Sequence, residues 1–228
     1  MNISTALPRV MIASENAFEL TMLSASLKLH GINVVAEVKN QILAENSFRS
    51  LQPEVLIIDL MFSHIHFIQI ANSFRKTNPN LGIVLLTASP DLRLLGIKED
   101  EIPHGVQIVL KGCVGDLSII GFAIDRSIDS LEILQDAEWV NGNDTVQEGA
   151  PAALLKEFTD IQVATLRLLA QGLSNSEIAK VRFVSEKSVE QIVARIAHHL
   201  HIAPERSRNL RVAITGEYFN WIGASKER

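Results

Sequence analysis

The run Val55-Leu-Ile-Ile58, closed by Asp59, is short, apolar at every position and mostly β-branched. A strand of that kind is buried on both faces, the mark of a parallel sheet covered by helices. Four similar runs flank it: Arg9-Val-Met-Ile-Ala13 and Ile32-Asn-Val-Val-Ala36 before, Gly82-Ile-Val-Leu-Leu86 and Val106-Gln-Ile-Val-Leu110 after. Segments with helical spacing lie between them. Leu20, Leu23 and Leu27 form one apolar face, stopped by His30-Gly31, and Ile68, Ala71, Phe74 and Arg75 form another ahead of Pro79. Five β/α units of this size predict a doubly wound, five-stranded parallel sheet, with its chemistry at the carboxyl ends of the strands.

Further along, the pattern loosens. Pro90, Gly96, Pro103 and the acidic run Glu99-Asp100-Glu101 argue against a full helix between the fourth and fifth strands. The helix after the fifth strand is expected to be long, since Ile120, Ile124, Ile128, Leu131 and Leu134 hold one stripe. Residues 136–152 read as an acidic linker. The expected organisation is an α/β domain over 1–128, a helix extension and acidic linker over 129–152, and a small all-α domain over 153–228.

Composition narrows the classes. A chain of 228 residues, 47% hydrophobic and 21% charged, is globular and long enough for two cores. No apolar stretch is long enough to cross a membrane, and Met1–Pro8 has no signal-peptide pattern. The single Cys113 cannot form an internal disulfide, so a cytoplasmic location is expected. The net charge of -5 is uneven: residues 161–228 hold 10 basic and 6 acidic side chains, whereas 131–160 hold one lysine against seven acids. A basic end on an acidic protein points to a nucleic-acid module.

That basic end has no strand signal. Thr159-x-x-Gln162 and Ser174-x-x-Glu177 have capping-box spacing, and Gly172 follows the stripe Leu166, Leu169, Ala170 as a helix stop. Ser185 opens a further helix with Val189, Val193, Ile196 and Leu200 on one face. A short helix, a turn and a longer helix make a helix-turn-helix. The face opposite the apolar stripe carries Lys187, Glu190, Gln191, Ala194 and Arg195.

The run Phe158-Thr-Asp-Ile-Gln-Val-Ala-Thr-Leu-Arg-Leu-Leu-Ala-Gln-Gly-Leu-Ser-Asn-Ser-Glu-Ile-Ala179, continued by Val184-Ser-Glu-Lys-Ser-Val189, closely resembles the LuxR-type DNA-binding domain over residues 156–215. With the first domain, the whole chain resembles a response regulator of the NarL/FixJ type, a flavodoxin-like receiver followed by that domain. The resemblance implies a bacterial transcription factor that docks the helix starting near Ser185 in the major groove of double-stranded DNA as a homodimer. It implies DNA contacts from Ser174, Arg182, Lys187, Ser188, Glu190, Gln191 and Arg195. Gln191 suits adenine and Glu190 a cytosine amino group, while Lys187, Arg182 and Arg195 suit phosphates. Basic residues usual in the family are missing at Glu190 and Ala194.

The receiver resemblance is looser. Asp59 stands at the phosphoacceptor position, Thr87 and Lys111 at those of the phosphoryl-contacting hydroxyl and lysine. Glu15, Asp59 and the backbone carbonyl near Met61 are the implied Mg²⁺ ligands, and a sensor histidine kinase is the implied donor partner. Ser14 replaces a family carboxylate, Ile108 an aromatic switch residue and Phe67 a glycine, and the fourth helix is broken. The reading is an atypical receiver that holds Mg²⁺ weakly and is weakly controlled, or not controlled, by aspartate phosphorylation. Two alternatives stand beside it: conventional control through Asp59, and a regulator acting through protein contacts without specific DNA binding. A standalone enzyme has only the Asp59 pocket in its favour, with no Gly-rich phosphate loop or Ser/His/Asp arrangement, and is not expected. The clusters His64/His66 and His198/His199/His201 have neither a nearby Cys nor a helical i, i+4 pair, so a metal site is not expected.

Overall fold

The computed structural model describes residues 7–60, 65–113, 117–131, 136–140, 150–203 and 209–223. The chain divides into two compact units. One comprises Met1–Ala88 with Lys98–Val146, the other Ser89–Ile97 with Gln147–Arg228.

In the first unit, β1 (Val10–Ala13), β2 (Val34–Val38), β3 (Val55–Leu60), β4 (Gly82–Thr87), β5 (Gln107–Leu110) and β6 (Glu138–Val140) form one sheet in the order β2-β1-β3-β4-β5-β6. Every pairing is parallel. The doubly wound parallel sheet is as expected, but it has six strands, not five. Glu138-Trp-Val140, read as linker, pairs with Gln107–Val109. A three-residue strand inside acidic sequence leaves no periodicity to detect.

Helices cover both faces. α1 (Ala17–Leu29) and α4 (Ser118–Asp129) bury Leu20, Leu27, Ile120, Ala123 and Ile124 against Val10, Ile12, Val55, Ile57, Val84, Leu86 and Val109. The alternate strand residues Met11, Leu56, Ile58 and Leu85 are buried too, on the other side of the pleat. α2 (Gln41–Leu51) and α3 (Ile65–Thr77) are joined by stacked Phe48 and Phe74 rings, 4.0 Å apart. Between β4 and β5 stand only two 3-10 turns, Leu92–Leu95 and Glu99–Glu101, as Pro90 and Gly96 foretold. The expected extension of α4 is corrected: the helix ends at Asp129, where the Ser130 hydroxyl donates back to the Arg126 carbonyl. Ile120 and Ile124 lie on their own sheet, so the first half of that stripe is core; Leu134 is outside the described residues.

The second unit is helical: α5 (Ala150–Lys156), α6 (Asp160–Ala170), α7 (Asn175–Arg182), α8 (Glu186–His199) and α9 (Leu210–Trp221). Both expected capping boxes form. Gln162 N–H donates to the Thr159 hydroxyl and Thr159 N–H to the Gln162 amide oxygen; Ser174 and Glu177 do the same. The core gathers Leu155, Phe158, Val163, Leu166, Ile178, Val189, Val193, Ile196, Ile214, Tyr218 and Trp221. Gly172 takes φ +85° at the end of α6, a left-handed turn that suits glycine. Among the described residues, no helix is long and apolar enough to cross a membrane.

Candidate functional site

Two places carry chemistry. The first lies at the carboxyl ends of β1, β3, β4 and β5, beside the point where the strand order reverses between β1 and β3. Asp59 is 2% exposed. The Lys111 ammonium stands 2.5 Å from Asp59 Oδ1 and 2.7 Å from Glu19 Oε2. On its other oxygen, Asp59 accepts the Ser14 hydroxyl at 3.1 Å. Thr87, fully buried, pairs in register with Leu60 and Leu110. The sheet therefore gathers Asp59, Thr87 and Lys111 at one edge, as the sequence suggested.

Glu19 was not among the expected residues. Ser14 Oγ accepts the Asn16 N–H, and the Asn16 side chain caps α1 by accepting Phe18 and Glu19 N–H. This fixes the first turn of α1 and sets Glu19 where it meets Lys111. The available signal was Asn16-x-x-Glu19, a cap followed by a carboxylate in a first turn that starts at the sheet's carboxyl edge.

The electrostatics follow from two carboxylates sharing one ammonium. Burial raises the Asp59 pKa above its ordinary value, Lys111 opposes this, and the nearby Glu19 adds to it. The hydrogen bond from Lys111 lowers the Glu19 pKa against its partial burial. Burial disfavours the Lys111 charge, yet the two carboxylates outweigh it and its pKa is raised. A hard dication seeks several anionic oxygens. Here one Asp59 oxygen faces an ammonium and the other a neutral hydroxyl, a poor fit for Mg²⁺. Glu15 is exposed, and Met61 lies outside the described residues. Among the described residues, no group of three His, Cys, Asp or Glu could hold a metal.

The second place is the helix pair α7–α8. Ser185 caps α8 by accepting Ser188 N–H at 3.1 Å, and the two hydroxyls lie 2.8 Å apart. Val189, Val193 and Ile196 turn into the core, which leaves Lys187, Glu190, Gln191, Ala194 and Arg195 exposed on the opposite face. Ser174, at the head of α7, is engaged in its capping box. Arg182 is turned inward: its Nη1 donates to Thr165 Oγ1 at 2.5 Å and to the Ile161 carbonyl at 3.3 Å. It braces α7 against α6.

Comparison with known proteins places these features. Residues 156–206 match the family described as bacterial regulatory proteins, luxR family. The response regulator protein VraR of Staphylococcus saprophyticus is 23% identical over 174 residues, 75% of this chain and 79% of its own length. A transcriptional regulatory protein of Bacillus subtilis, YxjL, itself uncharacterized, is 25% identical over 73% of this chain and 76% of its own. Among solved structures, two RcsB dimers bound to two parallel DNAs share the fold at TM-score 0.56 and 22% identity, covering 95% of this chain and 100% of that one. An RcsB–DNA complex gives TM-score 0.52 at 21% identity, with the same coverage. Residues 156–206 thus carry a luxR-family helix-turn-helix, and the chain as a whole, with a parallel sheet ahead of it, is similar in sequence to response regulators and in fold to the RcsB structures.

Proposed function

We propose that this protein is a DNA-binding transcriptional regulator that acts as a dimer, and that phosphorylation of Asp59 controls it weakly or not at all. The supporting observation for DNA binding is the exposed polar face of α8, held outward by a capped start and an apolar back. Gln191 is the base-reading residue, Glu190 the partner of a cytosine amino group, and Lys187 and Arg195 the phosphate contacts. Ser174 and Ser188 stand at helix starts that approach the backbone, and Arg182 positions α7. One such face reads too few bases for specificity, so two copies on two half-sites are required. The RcsB structures, described as dimers and as DNA complexes, support that assembly by analogy.

Weak phosphorylation control rests on the Glu19–Lys111–Asp59 arrangement. The lysine already neutralises the carboxylate that would be the nucleophile, and Ser14 supplies no charge for Mg²⁺. Conventional control by a sensor histidine kinase has one observation in its favour, the gathering of Asp59, Thr87 and Lys111 at a single sheet edge.

Gel-shift titration of the full chain tests the reading. Gln191→Ala should cost about 1–3 kcal/mol on the preferred site and little on random DNA. Lys187→Ala should weaken binding to both alike. Equal losses on specific and random DNA for Gln191→Ala would remove its base-reading role. Specific binding by neither wild type nor variant would favour a regulator that works through protein contacts.

A further inference from the structure

Ser89–Ile97 leaves the end of β4 and returns at Lys98, yet it packs as part of the helical unit. Leu94 is fully buried in the same apolar core as Leu155, Phe158, Leu166 and Tyr218. Its carbonyl accepts the Tyr218 hydroxyl at 3.0 Å, which satisfies a phenol that would otherwise be buried without a partner. Arg93 works beside it. Nη1 donates to the Phe158 carbonyl at 3.1 Å and to Asp160 Oδ1 at 2.8 Å, and Nη2 to the Leu155 carbonyl at 3.0 Å. A guanidinium at the carboxyl end of α5 and the amino end of α6 thus ties the corner between them.

The segment is shaped for this. Asp91 caps the 3-10 turn and grips Arg93 through both carboxylate oxygens, which aims the guanidinium. Gly96 takes φ +81°, and a Cβ there would collide with the Arg167 guanidinium of α6. Glycine both permits the turn and leaves room for Arg167.

We propose that Ser89–Ile97 is a built-in strap of the helix-turn-helix unit: Leu94 completes its core, Arg93 pins the α5–α6 corner, and α6 and α9 keep their packing only while the strap is seated. The strap bonds to α5, α6 and α9, the scaffold behind the helix-turn-helix, and the outward face of α8 remains open. The segment leaves the sheet after β4 and serves as part of the second unit.

Hydrogen exchange followed by mass spectrometry on the full chain tests this without reference to DNA. In Arg93→Ala and Leu94→Ala, amides of α6 and α9 should exchange at least about tenfold faster than in wild type, with β1, β3 and β4 unchanged. Tyr218→Phe should give a smaller change confined to α9 and the strap. Unfolding of all of α5–α9 in Leu94→Ala, with the sheet intact, would support the strap equally. Arg93 has a side chain one-third exposed, so its removal leaves no core cavity and decides the matter if Leu94→Ala fails to fold. Wild-type protection of α6 and α9 in Arg93→Ala, or losses spread equally over the sheet, would overturn the strap.

Discussion

Lys111 is the side chain on which the receiver pocket turns. Its ammonium is divided between Asp59 and Glu19 at 2.5 and 2.7 Å. A ligand or modification shifts only an equilibrium whose two states it distinguishes. Asp59→Asn should therefore leave DNA affinity within about threefold, under 1 kcal/mol, as measured by fluorescence anisotropy. A tenfold rise in affinity on treatment with a small phosphoryl donor, abolished by that substitution, would restore ordinary two-component control. The same residue has a pH signature. A carboxyl whose pKa is raised on folding binds more protons in the native state, so its contribution to stability falls as pH rises through the interval above 3.8. The urea midpoint of Asp59→Asn should gain on that of wild type as pH rises above 3.8. Of this pocket, Asp59, Thr87 and Lys111 were expected from the receiver resemblance, each standing at or just after the end of an apolar run. Glu19 was not, because its place depends on how α1 leaves β1.

At the scale of elements, local chemistry was the most readable. Thr159-x-x-Gln162 and Ser174-x-x-Glu177 need only four residues to declare a helix start, and both formed as spaced. Thr159→Ala removes the hydroxyl that accepts Gln162 N–H, and should lower stability by about 1 kcal/mol in urea unfolding. The exposed Ser185 cap should behave alike at the head of α8. What the sequence hid was tertiary. Glu138-Trp-Val140 becomes a strand only because β5 offers an open edge. Leu92-Arg-Leu-Leu95 looks like a loop because Pro90 and Gly96 bound it, although its three leucines in four residues were the sign that it is buried. Neither partner, an open sheet edge or a helical core, can be seen in a short window.

For the molecule as a whole, charge decides how the two halves meet a polyanion. Residues 161–228 hold 10 basic and 6 acidic side chains within a chain of net charge -5, so attraction is confined to the helical end. Binding that rests on Lys187 and Arg195 from each of two copies replaces about four counterions on the DNA. The logarithm of the association constant should then fall with the logarithm of salt concentration at a slope of roughly -4, near -0.9 for each phosphate contacted. Lys187→Ala, which deletes one contact per copy, should flatten the slope by about 2 in a dimer and about 1 in a monomer. Gln191→Ala should lower affinity on the preferred site and leave the slope unchanged, since a base contact releases no counterion. Anisotropy titrations between 50 and 300 mM salt, roughly the range over which such slopes are measured, read both quantities at once. A change near 1 for Lys187→Ala would mean that a single copy binds, and a slope indifferent to Lys187 would place the phosphate contacts on another face.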